Sequence, residues 1–277
     1  MNQLKLHQKL QTFLLEDIGE KDMTSQTIFS PNHQGEGLFL AKESGVVAGL
    51  AIIKETYHLL DSKINIQYQV RDGDVVKKGD VLAKVNGPVS SILTGERVIL
   101  NLIQRMSGIA TLTKKSISAL SDSSIQICDT RKTTPGLRMF EKYAVTVGGG
   151  KNHRFGLYDA VMIKDNHIAF CGSITQAVKR VKQQLGHMVK IEVETETKED
   201  VLEAVNAGVD VIMFDNCTPQ QVREFSTYVP GHIVTEASGG ITLETLPTYA
   251  HTGVNVISLG YLTHSVSALD ISLVVNM

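Results

Sequence analysis

The chain has 277 residues, of which 42% are hydrophobic and 20% charged, and its formal net charge is −2 at pH 7. This length suffices for one large core, or for a large core with a small companion, so one or two domains are expected. The near-neutral charge argues against nucleic-acid binding, which needs a basic face. The longest apolar stretches are far shorter than the roughly 18 to 20 residues of a membrane helix, so no membrane span is expected.

The three cysteines, Cys128, Cys171 and Cys217, are widely spaced and odd in number. This pattern encodes neither a disulfide framework nor a thiolate zinc site. The N-terminal segment interleaves polar and apolar residues and lacks the continuous apolar core of a secretory signal. We therefore expect a cytoplasmic protein.

The first predicted element is an amphipathic helix, because Leu6, Leu10 and Leu14 share one helical face. Residues from about 35 to 93 read as short strands broken by glycine-rich turns, with a helix at about 51–60. This pattern predicts a small α+β unit. Part of it, DGDVVKKGDVLAKVNG, resembles the repeat of lipoyl and biotinyl carrier modules, but it has no recognisable exposed tip with a modifiable lysine.

From Glu96 onward a long helix is followed by strands that alternate with helices. The six predicted strands are SIQICD, DAVMIK, VKIEVE, VDVIMFD, HIVTEA and VNVISLG. Ser173, Thr197 and Thr218 can cap the helices between them, and Gly208 can close the second of these helices. Sequential β-α-β connections force parallel strands, which leaves an open doubly wound sheet or a barrel.

Polar or small residues lie at or just after the end of each predicted strand. They are Arg131, Lys164, Glu194, Asp215, Ser238 and Gly260. In a barrel the carboxyl ends of the strands surround one mouth, where such enzymes keep their chemistry. A doubly wound sheet would favour a G-x-G-x-x-G turn after its first strand, and the sequence has none there. Six clear strands therefore predict an incomplete barrel.

A cationic cluster suggests anion recognition. Seven basic residues lie between positions 131 and 164, against two acidic ones. Arg131 and Lys132 follow a strand directly, and GGGKNHRFGLYDAVMIKDNH brings His153, Arg154, Lys164 and His167 into one segment. Consecutive glycines expose backbone N–H groups, and guanidinium forks bind carboxylates bidentately. The pattern predicts a site for a planar dianion, although charge alone is also typical of a surface patch.

Two carboxylates end otherwise apolar strands, Glu194 in IEVET and Asp215 in MFDN. Two oxygen ligands from facing strand ends suit Mg²⁺, which usually retains waters and binds substrate phosphates. Glu192 is a competing candidate, because alternation places it on the same face but deeper. A structural pairing of a carboxylate with Lys164 is the simpler alternative.

Small residues follow the last two predicted strands, in EASGG at 236–240 and SLG at 258–260. Barrels often build a phosphate site in their final loops, from backbone N–H groups and a helix N-terminus. One such loop is a weak indication because glycine also ends strands. Two in succession favour a phosphate site.

Taken in order, these segments resemble the quinolinate phosphoribosyltransferase family. The resemblance runs from LLEDIGEKDMTSQTI to THSVSALDISL and includes GVVAGL, DTRKTTPGLR, EKYAVTVGGGKNHRFGLYDAVMIKDNHI, EVET, EASGGITLETL and SLGYLTHS. It departs at Ser267, where the family pattern has proline. The resemblance implies an N-terminal α/β sandwich domain at residues 1–106 and an open parallel α/β barrel at 107–264. It leaves open that residues 265–277 pack back on the first domain.

The resemblance also implies an activity. Phosphoribosyl pyrophosphate would transfer its phosphoribosyl group to the nitrogen of quinolinate, with decarboxylation, giving nicotinate mononucleotide, pyrophosphate and carbon dioxide in NAD biosynthesis. The implied quinolinate-binding residues are Arg97, Arg131, Lys132, His153, Arg154 and Lys164. The implied phosphoribosyl pyrophosphate-binding residues are Glu194, Asp215, Ser238, Gly239, Gly240, Gly260 and His264.

Within these sets the resemblance assigns catalysis to Lys132, Lys164, Glu194 and Asp215. Glu194 and Asp215 would hold Mg²⁺, directly or through water or substrate, and no organic cofactor is implied. Arg97 would reach in from a partner subunit, which implies a homodimer with shared active sites and allows a hexamer built as a trimer of dimers. Two alternatives remain: a molybdenum-transport-associated paralogue, and a non-catalytic phosphoribosyl or nucleotide sensor.

Overall fold

The computed structural model describes residues 1–276, and at Asn276 the backbone alone. The chain divides into two compact units. The sandwich unit comprises residues 1–114, 135–149 and 265–276, and the barrel unit comprises residues 115–134 and 150–264. The predicted boundary between residues 106 and 107 stays a prediction.

The sandwich unit contains a four-stranded antiparallel sheet in the order β12, β1, β5, β3 and a short pair formed by β2 and β4. Its elements are α1 (Gln3–Ile18), α2 (Ser25–Ile28), β1 (Gln34–Ala41), β2 (Gly45–Val46), α3 (Leu50–Leu60), β3 (Asn65–Tyr68), β4 (Val75–Val76), β5 (Val81–Pro88), most of α4 (Val89–Leu120), α5 (Arg138–Val147) and β12 (Ile271–Asn276).

Helix α4 begins seven residues before the predicted start at Glu96. The threonine and glycine at positions 94 and 95 suggest a turn, yet both lie within the helix. At Gly95 a Cβ atom would stand 2.9 Å from Tyr57 Cε1, so glycine lets α4 approach α3 closely. The buried Tyr57 hydroxyl also donates to the Ile92 carbonyl at 3.1 Å. Tertiary packing here outweighs the local turn propensity.

The barrel unit contains a six-stranded parallel sheet in the order β6, β11, β10, β9, β8, β7. Its elements are β6 (Gln126–Cys128), β7 (Val161–Ile163), α6 (Asp165–Cys171), α7 (Ile174–Gln184), β8 (Ile191–Thr195), α8 (Lys198–Ala207), β9 (Val211–Asp215), α9 (Pro219–Ser226), β10 (Val234–Ser238), a 3₁₀ helix (Leu246–Tyr249), β11 (Val256–Ser258) and α10 (Tyr261–His264).

All six predicted strands are confirmed, and the sheet is open because β6 and β7, its two edges, do not pair within residues 1–276. The predicted fold class, a sandwich domain with an incomplete parallel α/β barrel, is therefore confirmed. Lys151 forms a parallel bridge with Cys128, so the segment after the glycine triplet lies along the β6 edge.

The predicted helix caps of the barrel unit are also confirmed. The Ser173 side chain accepts a hydrogen bond from the Gln176 N–H. Thr197 and Thr218 each form a capping box with the residue three positions later, Asp200 and Gln221. Gly208 ends α8 in the left-handed conformation. The caps at Thr197 and Thr218 fix where the chain leaves β8 and β9 and the next helix begins, at the end of the sheet that forms the mouth. In the part of the chain that the structure describes, no helix combines the length and the apolar run that crossing a bilayer requires.

Candidate active site

A cleft of about 400 Å³ opens at the carboxyl ends of the barrel strands. Its walls are formed by Thr130, Arg131, Lys132, His153, Arg154, Met162, Lys164, Glu194, Met213, Asp215, Ser238, Gly239 and Ser258. Nine of the thirteen residues expected at the site from the sequence therefore line one cavity. We call it the mouth cleft.

The carboxylates reach the cleft because three adjacent strands end together. Asp215 closes β9 and lies opposite Ser238 of β10, while Glu194 pairs in register with Met213. Lys164 follows β7 directly, and its ammonium contacts the Glu194 carboxylate in a hydrogen-bonded ion pair. Burial nevertheless raises the pKa of Glu194, and the lysine only partly offsets this effect. The pairing with Lys164 considered from the sequence is thus present.

The opposite wall of the cleft is cationic. The segment that carries Arg154 is held against β6, where the Lys151 N–H donates to the Ile127 carbonyl at 2.8 Å. The Arg154 guanidinium donates through Nη1 to the Ala160 carbonyl at 3.0 Å, while its buried Nε makes no hydrogen bond within the described chain. Burial, and then the nearby charge of Arg131, lower the pKa of Arg154. Two cations held this close favour an anionic ligand between them.

His153 lines the cleft, but its ring nitrogens point elsewhere. Nδ1 accepts the Arg154 N–H at 2.8 Å, and Nε2 lies 3.0 Å from Glu192 Oε2. Glu192, which the sequence offered as an alternative to Glu194 at a deeper position, is thus buried and contacts His153. His167 has a local role as well, because its Nδ1 accepts the Lys164 N–H at 3.0 Å at the start of α6.

The loop after β10 is built from glycines in left-handed conformations. Gly239 has φ +84°, and a Cβ atom there would stand 2.3 Å from the Asn216 side-chain oxygen. Gly240 has φ +62° and nothing within 4 Å of its Cβ position. A Cβ at Gly260 would lie 3.1 Å from Lys132 Cδ and 3.2 Å from the His264 ring. Gly240 follows Gly239 directly, and Gly260 lies beside Lys132 and His264, so these three residues border the mouth cleft without lining it.

Arg97 belongs to the sandwich unit and is exposed on α4. There it lines a different cleft of about 350 Å³, together with Phe13, Glu16, Asp17 and Asn101 among others. Its predicted part in a site shared between subunits stays a prediction.

Sequence reasoning gave no role to two buried carboxylates around the mouth cleft, Asp129 and Glu236, whereas Ser258 lies in the SLG segment that it singled out. Asp129 is fully buried, and Oδ1 of its carboxylate accepts the His153 backbone N–H at 2.9 Å. Glu236 is buried inside β10, and the Ser258 hydroxyl lies 2.9 Å from that of Ser238. A carboxylate within an apolar strand, as in IVTEA, was the available indication, because a buried charge needs a partner or a function.

The open parallel barrel and its charged mouth define an anion-binding α/β-barrel protein. Two family models match the chain: the C-terminal domain of quinolinate phosphoribosyl transferase over residues 109–274, and the N-terminal domain over residues 22–107. The chain belongs to the quinolinate phosphoribosyltransferase family, which confirms the resemblance read from the sequence.

Individual relatives agree with this assignment. The chain is 59% identical to the probable nicotinate-nucleotide pyrophosphorylase (carboxylating) of Bacillus subtilis, across 100% of this chain and 96% of that one. Its fold is similar to that of NadC from Streptococcus pyogenes, with a TM-score of 0.96 and 40% identity over 100% and 99% of the two chains. The nicotinate-nucleotide pyrophosphorylase of Francisella tularensis superposes with a TM-score of 0.94 at 34% identity, over 100% and 98%.

Proposed function

We propose that this chain transfers the phosphoribosyl group of phosphoribosyl pyrophosphate to the ring nitrogen of quinolinate and releases pyrophosphate and carbon dioxide. The product is nicotinate mononucleotide, a precursor in NAD biosynthesis. The observation that carries the proposal is the division of the mouth cleft into a cationic wall and a wall of carboxylates, serines and glycine. Family membership supplies the names of the substrates.

The cationic wall suits the pyridine dicarboxylate. Arg131, Lys132, Arg154 and Lys164 offer the donors that two carboxylates require, and a guanidinium can bind a carboxylate bidentately. The unsatisfied Nε of Arg154 supports a ligand there, because a buried donor without a partner costs free energy. We assign His153 to the same wall, at the side where its ring contacts Glu192.

The opposite wall, together with the residues that border it, suits the sugar phosphate. We assign phosphate binding to Ser238, Gly239, Gly240, Gly260 and His264, since small residues let backbone N–H groups approach a phosphate. Glu194 and Asp215 are assigned to the ribose hydroxyls. As pyrophosphate leaves, positive charge develops on the ribose, and these carboxylates can stabilise it. When carbon dioxide leaves, the electron pair of the broken bond stays on the ring carbon beside the cationic nitrogen, which stabilises it, and a proton from solvent then forms the new C–H bond. We therefore propose no organic cofactor.

We assign to Lys132 and Lys164 the electrostatic stabilisation of negative charge on the reactants. This charge lies on the carboxylates of the pyridine and on the departing pyrophosphate. Lys164 also holds Glu194 in place through their ion pair. The Glu194 side chain is 14% exposed and that of Lys164 42%, so solvent screens this ion pair only in part.

The same carboxylates fit a magnesium ion. Glu194 engages one oxygen with Lys164, and Asp215 accepts from the Asn216 side chain at 2.8 Å, which leaves each carboxylate a second oxygen for a metal-bound water or ligand. Mg²⁺ prefers oxygen ligands and usually binds substrate phosphates with few protein ligands. We propose that Glu194 and Asp215 hold it, directly or through water or substrate. When bound, it would neutralise charge on the pyrophosphate.

We also propose a homodimer in which Arg97 completes the cationic wall of the partner subunit, with a hexamer of three such dimers as a further assembly. Large apolar side chains are exposed near the cationic segment, at Leu157, Tyr158 and Phe170, the last of them 94% exposed. Exposed apolar patches commonly mark protein interfaces. A cytoplasmic location is part of the same proposal, supported by three widely spaced cysteines that encode no disulfide framework.

The test is an assay of the purified protein with Mg²⁺, phosphoribosyl pyrophosphate and quinolinate labelled at the carboxylate next to the nitrogen. We expect labelled carbon dioxide and pyrophosphate in equal amounts, and far slower turnover of nicotinate, which lacks that carboxylate. Lys164→Ala should lower kcat/KM by about 10²-fold or more, because it strips charge stabilisation from the cleft. Lys179→Ala, an exposed lysine on α7, is the matched control. Release of neither product by the unaltered protein would refute the proposed function.

A further inference from the structure

The turn after β9 begins at Asn216, the residue that follows Asp215. Its backbone has φ +53°, in the left-handed region that L side chains rarely adopt. Asparagine tolerates this region better than most residues, and glycine adopts it at no cost. The Asn216 N–H donates to the Ser238 carbonyl at 2.9 Å, which extends the pairing of β9 with β10 by one hydrogen bond. The turn itself therefore needs only a residue that accepts positive φ.

The Asn216 side chain makes two contacts that the turn does not require. Its amide nitrogen donates to Asp215 Oδ2 at 2.8 Å. Its amide oxygen lies against Gly239, where the three atoms nearest to an added Cβ would all belong to Asn216. The amide can reach this position because residue 239 has no side chain. One planar group thus lies between a carboxylate of the mouth cleft and the loop after β10.

This arrangement determines how Asp215 faces the mouth cleft. Asp215 and Gly239 line the cleft, whereas Asn216 does not, so the amide can affect a ligand there through its neighbours. A hydrogen bond to an ionised carboxylate is stronger than one between neutral groups, and it limits rotation of the carboxylate. With Oδ2 engaged, Oδ1 remains for a ligand. A carboxylate that is already oriented loses less conformational entropy when the ligand binds.

We infer that Asn216 is a positioning residue for phosphoribosyl pyrophosphate: its amide, packed against Gly239, orients the Asp215 carboxylate toward the ribose. The inference rests on the proposed function, which assigns Asp215 to the sugar phosphate and the cationic wall to quinolinate. Loss of the amide should therefore weaken one substrate and leave the other unaffected.

The experiment measures kcat and the KM of each substrate in N216G and N216A at saturating Mg²⁺. Glycine keeps the left-handed turn and removes the amide, whereas alanine removes the amide and adds backbone strain. Both variants should raise KM for phosphoribosyl pyrophosphate to the same extent, by about three- to tenfold, the scale of one exposed hydrogen bond. KM for quinolinate should stay unchanged. N216A should have the lower melting temperature of the two.

Ser121→Gly and Ser121→Ala are the matched controls for the backbone. Ser121 has the same φ of +53° and is also exposed, but it lies between α4 and β6, before the amino end of a barrel strand. The alanine variant should again melt at the lower temperature, and both should keep the two KM values of the unaltered protein. If the Ser121 variants raise KM for phosphoribosyl pyrophosphate as much as N216G does, the effect is one of general destabilisation and the inference fails.

A double variant tests whether the amide acts through Asp215. D215A removes the carboxylate that the amide orients, so adding N216G to D215A should change kcat/KM for phosphoribosyl pyrophosphate by less than about twofold. If the two losses instead multiply, Asn216 acts independently of Asp215 and is not its positioning residue.

The remaining outcomes separate this inference from the function on which it rests. An unaltered protein that releases neither carbon dioxide nor pyrophosphate defeats the proposed function. An active unaltered protein whose N216G variant keeps both KM values defeats the positioning role alone. Equal increases of both KM values in N216G would also defeat it, because they would show no preference for the sugar phosphate.

Discussion

The two walls of the mouth cleft present their binding groups by different means. The cationic wall presents long side chains. One of them, Arg154, is held in place by the hydrogen bond that it donates to the Ala160 carbonyl. The wall after β10 relies on backbone shape, since Gly239 adopts φ +84° against Asn216 with no room for a side chain. The first wall should therefore be sensitive to loss of charge, and the second to gain of volume.

The largest expected effect concerns the wall after β10, at the loop that contains Gly239 and Gly240. Gly239→Ala should lower the free energy of unfolding by about 2 to 4 kcal/mol, because positive φ and overpacking against Asn216 add together. Gly240→Ala shares the positive φ but meets nothing within 4 Å, so only about 1 to 2 kcal/mol is expected. Urea unfolding of both variants measures the difference. If both variants lose the same free energy of unfolding, the close contact with Asn216 adds nothing to the cost of positive φ at Gly239.

A smaller effect is expected on the cationic wall. Arg131→Ala should weaken quinolinate binding by at least about 2 kcal/mol, the scale for stranding a charge-assisted partner. Arg180→Ala on α7 removes an exposed arginine of the same unit and serves as the control. Isothermal titration with quinolinate measures the affinity. If Arg131→Ala binds as tightly as its control, Arg131 is not part of the wall.

The smallest signal tests whether a partner subunit completes the cationic wall. Arg97→Ala and Lys164→Ala proteins, each inactive alone, should recover about a quarter of the activity when mixed, since half of randomly formed dimers are mixed and hold one intact site. Subunit exchange is confirmed separately with tagged chains. No recovery despite exchange would confine each site to one chain.

Much of the barrel could be predicted because its signals are local. Caps at Ser173, Thr197 and Thr218 require only neighbouring residues, and the polar residue that ends each apolar strand marks the mouth. Each of these features depends on a few consecutive residues, so it can be recognised without knowing which distant segments come into contact.

What could not be predicted depends on contacts between distant segments. The ring of His153 faces Glu192 and Glu236 from other strands, and only the assembled sheet brings them together. The basic cluster between positions 131 and 164 is also divided. Arg138 and Lys142 lie on α5 in the sandwich unit, where Lys142 is fully buried. A count of charges along the chain cannot show where the chain leaves one unit and returns.

The bridge between Lys151 and Cys128 has a thermodynamic consequence. A closed barrel would use the β6 edge for another strand, whereas here that edge orders the segment leading to His153 and Arg154. The conformational entropy of this segment is lost during folding, before any ligand arrives, and need not be lost on binding. Binding of the pyridine dicarboxylate should accordingly require little ordering of this segment. The heat-capacity change of binding should then lack the contribution that a loop makes when it folds onto its ligand.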